Sequence, residues 1–312
     1  MRLKKGFFFT ILAIVFIDVF LLSYQSDISY EEFNSFSSIS SRINMMEDFI
    51  ESLEQDAERA LYISGYRAFI TMNNYVISEA DPITSLNSTY KEVIINGTLY
   101  GNNTHTLLMD NQTLEDWVSR VGNLADELDL KVNMTFYNVT VYQTSPWNIK
   151  TSMMINYTLN DTKKAASWNR NGRITAVIKI DDWIDPYYAM HTGGVMRQII
   201  KTNITDLNHS SVTWMMGNKT YMNSTLAPSF LDRIQNKTSP DKNGIFTIIN
   251  LDSQEIKSNN TDDISMIDHY WFREATSVPT ADIVNVTNRF SWFRLDQDYM
   301  HITNTQNETI FS

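Results

Sequence analysis

Cysteine is absent from the 312 residues. Disulfides, thiolate metal sites, lipid-acylated cysteines and cysteine nucleophiles are thereby excluded, and stability must come from core packing, glycans or assembly. Basic residues are the minority charge, with 25 Lys and Arg against 36 Asp and Glu and a net charge of −11. A phosphate backbone calls for clustered cations, so nucleic acid is excluded as a partner. Catalytic signatures are missing as well. His105, His191, His209, His269 and His301 are scattered, with no His-Glu-x-x-His, no Gly-x-Ser-x-Gly and no phosphate loop. Neither a cofactor nor an enzymatic activity is expected. Glycine and proline are also missing between Gly6 and Gly65, which leaves nothing to break a helix over that length.

What is present begins at the N-terminus. Arg2, Lys4 and Lys5 precede an apolar run from Phe7 to Tyr24, about 27 Å long as a helix and so just long enough for a bilayer core. Asp27, Glu31 and Glu32 follow it, and the positive-inside bias then places the remainder outside a membrane. The expectation is a single-pass anchor with a cell-surface, extracellular C-terminal region. A cleaved secretory signal competes poorly, because Ser23-Tyr24-Gln25-Ser26 lacks small residues at alternating positions. Asp18 stands inside the run, either near enough to the outer surface to reach water or paired with a polar group of a neighbouring helix. The junction Lys4-Lys5-Gly6 before Phe7-Phe8-Phe9-Thr10 resembles the class III signal of type IV prepilins. That resemblance implies processing between Gly6 and Phe7 and a mature helix kept for packing into a filament. Ile11 stands where bacterial pilins carry Glu, which favours the archaeal version.

Ile39, Ile43, Met46, Ile50, Leu53, Ala57, Ala60 and Ser64 recur at alternating spacings of four and three, the seam of an amphipathic helix. Acids fill the other faces, and the shrinking side chains toward Ser64 leave room for a close neighbour. The stripe packs either on the protein's own globular region or on another helix, and Asp81-Pro82 ends it.

Beyond it, Thr113 to Asp116 reads as a capping box opening an amphipathic helix to Leu128. Residues 132–142 and 149–159 alternate as strands, and Asn171-Gly172 reads as a hairpin turn before a third strand at Ile174–Ile180. Asp185 to Tyr188 and His191 to Gly194 read as loop, and Asp241 to Gly244 as a turn. Asp181, Asp182 and Asp185 offer carboxylates, but without a calcium-loop pattern a strand end running into a turn explains them as well. The triplets Trp271 to Arg273 and Trp292 to Arg294 read as core aromatics, each with a surface arginine. The fold class is α+β: a leader and apolar helix over 1–25, a helical stalk over 26–80, and a β-rich antiparallel domain, of one or two parts, over 81–312.

Glycosylation sequons are the most over-represented pattern. They fall at Asn87, Asn96, Asn102, Asn111, Asn133, Asn138, Asn156, Asn160, Asn203, Asn208, Asn218, Asn223, Asn236, Asn259, Asn285 and Asn307, with none before residue 81. The composition of that region would supply about five by chance, so N-linked glycans are expected.

Several short blocks carry a further resemblance: Val139 to Gln143, Ser145 to Trp147, Ser167 to Arg170, Ile184 to Gly193, Pro228 to Leu231, Asp268 to Phe272 and Trp292 to Asp296. Together they resemble an uncharacterised family of archaeal membrane-anchored surface proteins with a pilin-like N-terminus. The resemblance implies a surface role and assigns no functional residue. The expected function is structural, a pilin-like subunit of an extracellular filament or adhesive layer that self-assembles through its N-terminal helix. The alternative is a membrane-anchored binding or sensory domain that does not polymerise.

Overall fold

A computed structural model describes the backbone of residues 4–102, 106–205, 207–253, 264–273, 283–285 and 292–301, and most side chains within them except those of 4–13 and 22–36. The chain is mixed α+β, with a long N-terminal helix and an antiparallel sheet. Helix α1 runs unbroken over Lys4–Glu79. It stops where Ala80 takes a left-handed φ of 54° ahead of Asp81-Pro82, because the residue before a proline is pushed out of the helical region.

The sheet is a meander of β1 (Leu130–Ser145), β2 (Asn148–Asp161) and β3 (Ser167–Lys179), in that order. One face buries Ile149, Met153, Ile155, Tyr157 and Leu159 of β2 with Ile174, Ala176 and Ile178 of β3. Helix α1 lies across that face, which the apolar residues at alternate positions of β2 provide. At Gly65 the helix passes close to Tyr90 and to the sheet. A Cβ there would sit 2.5 Å from the Tyr90 hydroxyl and 3.1 Å from Ile178 Cδ1, so glycine in mid-helix serves close approach. Helices α2 (Leu86–Asn96) and α3 (Leu114–Glu127) close the side toward β1. The capping box of α3 forms as read, with the Thr113 side chain accepting from Asp116 N–H and the Asp116 side chain accepting from Thr113 N–H.

The hairpin turn is not at Asn171-Gly172. Those residues lie within β3, opposite Asn156 and Ile155, and the chain reverses over residues 162–166. There Lys164 supplies the positive φ of 64°, and the Asp161 carboxylate accepts from the Ala165 N–H at 2.8 Å. A side-chain hydrogen bond has replaced the Asn-Gly dipeptide as the turn-former. Pro186 likewise starts a helix where a loop was expected. Helix α4 covers Pro186–His191 with Asp185 as its cap, because proline suits a first helical turn.

Among its described residues, the rest mixes short helices with short strands. It is built from α5 (His209–Asn218), β4 (Met222–Asn223), α6 (Phe230–Arg233), β5 (Ile245–Phe246), α7 (Asp268–Trp271), β6 (Ile283–Asn285), β7 (Arg294–Asp296) and α8 (Gln297–His301). A second hydrophobic cluster, including Val212, Met215, Phe246, Ile248, Phe293 and Tyr299, forms its centre. Trp271 and Phe293 are buried, while Arg273 is exposed.

The single-pass anchor is corrected. Among the described residues no helix is long and apolar enough to cross a membrane, and the membrane-anchored surface location built on the run from Phe7 to Tyr24 falls with it. The described side chains of that run cover only Ile14 to Leu21, about 12 Å of helix against a hydrocarbon core of about 30 Å.

Candidate functional site

Helix α1 is half arm and half core. From Ile14 to Leu21 every side chain is exposed, from 52% at Val15 to 74% at Phe20, and Asp18 is exposed among them. Eight consecutive residues cover all azimuths of a helix, so this stretch is apolar on every side apart from Asp18. Such helices are ordinarily buried. Gly6 and Phe7 lie in the first turns of α1, and their side chains fall outside the described residues.

The seam maps where the arm enters the head. Ile39 is exposed and Ile43 half-buried, while Met46, Ile50, Leu53, Ala57, Ala60 and Ser64 are buried in the main core. The stripe then continues through Ala68, Phe69, Met72 and Val76. A row of polar clasps fixes this half. Arg42 donates to the Asp161 carboxylate at 2.7 Å and to the Leu128 and Asp129 carbonyls. The Tyr157 hydroxyl donates to Glu54 at 2.6 Å, the Trp117 indole to Asp56 at 2.7 Å, Ser64 to the Gln112 carbonyl and Asn73 to the Ile184 carbonyl. Burial alone would push the Asp161 carboxyl up, but the Ala165 N–H and the Arg42 guanidinium hold it below the usual carboxylate range.

Sequence reasoning missed the centre of the head. Arg233 is fully buried between Asp185, at 2.8 Å, and Asp268, at 2.7 Å, and donates to the Ile245 carbonyl. The rings of Tyr187 and Tyr221 flank its guanidinium at 5.5 and 5.8 Å, and the Tyr221 hydroxyl donates to Asp185. Burial disfavours the charged Asp268 carboxyl, yet Arg233 outweighs it and holds that group below its ordinary range. Burial raises Asp296 against hydrogen bonds from Ser265 and the Tyr299 N–H. Nothing in the run Leu231 to Ile234 signals a buried cation, because its partners arrive from 48 and 35 residues away. His269 touches Asp268 and Tyr299 at 3.3 Å each but is only 2% exposed. A substrate would not reach it.

Asp185 is turned inward onto Arg233, away from exposed Asp181 and Asp182. Among the described residues no three metal-ligating side chains converge. The sequon asparagines Asn87, Asn96, Asn102, Asn111, Asn133, Asn138, Asn160, Asn203, Asn208, Asn218, Asn223 and Asn236 are exposed, and Asn156 is half-buried. Asn259 and Asn307 lie outside the described residues, as does the side chain of Asn285. Compared with models of protein families, with curated proteins and with solved structures, the chain matches none.

Proposed function

We propose that the chain is a structural, pilin-like subunit that assembles with copies of itself through the arm of α1. The observation that carries this reading is the exposure of Ile14, Val15, Phe16, Ile17, Val19, Phe20 and Leu21 on a helix clasped rigidly to a folded head. Burying each of these side chains is worth about 1.5–3 kcal/mol, so the seven together offer about 10–20 kcal/mol. Association costs about 4–15 kcal/mol in lost freedom. One neighbour covers only one side of the arm and roughly breaks even, whereas several surrounding arms exceed the cost. A bundle of many copies is therefore favoured over a dimer. Asp18 must find a polar partner in such a bundle, since a buried unpaired carboxylate costs several kcal/mol. Cleavage between Gly6 and Phe7 belongs to the same reading, as do glycans on the exposed sequons.

The test is the mass of the full chain in solution and its appearance by electron microscopy. Large assemblies are expected from the natural sequence, and Phe16→Ser with Phe20→Ser should return it to single subunits. A full chain that stays monomeric at tens of micromolar would overturn the reading and favour a non-assembling binding domain.

A further inference from the structure

We propose that, in this assembly, the outer face of the sheet of one subunit receives the acidic outward face of α1 from the next copy. The inference rests on the assembly reading above and adds which surfaces of the head meet.

The two faces lie on opposite sides of the head. On the sheet, Tyr142, Lys150 and Val177 stand in one cross-strand row on the side away from α1, with Arg173 and Lys179 on the same face of β3. Tyr142 and Val177 are 46% and 50% exposed. The three strands hold five cations, Lys131, Lys150, Arg170, Arg173 and Lys179, and one carboxylate, Asp161. Asp161 is engaged by Arg42. Lys150, Arg173 and Lys179 have no carboxylate partner among the described residues.

The helix is the complement. Glu47, Asp48, Glu51 and Glu58 are exposed on α1 and make no ion pair among the described residues, and Arg59 is the one cation beside them. From Glu47 to Glu58 is about 17 Å of helix, and from Arg173 to Lys179 about 20 Å of strand. The lengths match. In a chain of net charge −11, a cationic sheet face opposite an acidic helix face favours like subunits meeting front to back. No sequon lies on α1; on the sheet face Asn133 and Asn160 stand at the end away from Lys179, while Asn138 and Asn156 border the row that holds Arg173. Because helix and sheet face are different surfaces, the contact is heterologous and can repeat without closing, as a filament requires.

The test uses two full-length variants. Arg173→Glu with Lys179→Glu makes both faces acidic, and Asp48→Lys with Glu51→Lys places cations on both. Each variant alone should lose most of the assembled fraction in sedimentation, with an unchanged circular dichroism spectrum. Mixing the two in equal amounts should restore it, since each then offers the face the other lacks. Assembly by both variants at the natural level overturns this contact and leaves the arm reading intact. Loss in each variant without recovery on mixing overturns the pairing of these two faces. A monomeric natural chain overturns the arm reading, and this contact with it.

Discussion

Between Ile14 and Leu21 helix α1 exposes every side chain, whereas between Arg42 and Glu79 the same helix buries its inward face and is clasped by Arg42, Glu54, Asp56, Ser64 and Asn73. The two halves share backbone geometry and an absence of proline. They differ in what surrounds them. The stretch Ile14 to Leu21 is apolar all round apart from Asp18, and all its side chains are exposed. The second has a narrow stripe that shrinks to Ala57, Ala60 and Gly65, the last of them against Tyr90, Ile178 and Thr151. A helix with a stripe is satisfied by one sheet, and a helix apolar on all sides is satisfied only by several neighbours.

The largest effect should come from bulk in the clasped half. Ala57→Leu with Ala60→Leu forces bulk into two buried positions of α1 at about 1–3 kcal/mol per site, and chemical unfolding should show a loss on the order of 2–6 kcal/mol. An unchanged midpoint would mean that this half is no more embedded than the arm.

Next comes the clasp at the entry to the head. Arg42→Ala leaves the buried Asp161 carboxylate without its cation and should cost about 1.5–3 kcal/mol at neutral pH. The folded-state value of Asp161 is depressed, so its contribution is present above the unfolded value of about 3.9 and lost as pH falls through the lower folded one. The gap between natural and variant protein should therefore narrow in acid. A gap independent of pH down to the acid transition would show that Arg42 acts through packing alone.

The smallest effect on the head is expected from the arm itself. Phe16→Ser with Phe20→Ser removes no intramolecular contact of the described structure, and the unfolding free energy of the monomeric head should stay within about 0.5 kcal/mol. A larger loss would mean that the arm folds back onto the head.

What the sequence determined by itself was local. The reach of α1 followed from the stretch without glycine or proline between Gly6 and Gly65 and from the stop at Asp81-Pro82, and the capping box at Thr113 and the alternation of β1 and β2 followed from patterns that need no distant partner. The heptad spacing named the buried face of α1 from Met46 to Ser64 but left open what would cover it. Tertiary structure decided the rest. It covered that seam with the sheet, moved the β2–β3 turn from Asn171-Gly172 to the loop pinned by Asp161, and sealed Arg233 between Asp185 and Asp268. It also set Arg173 and Lys179 of β3 on the side away from α1, while Arg170 faces Glu54 of that helix. These depend on contacts between residues far apart in the chain, where burial and charge pairing outweigh local preference, and no window of sequence contains both partners.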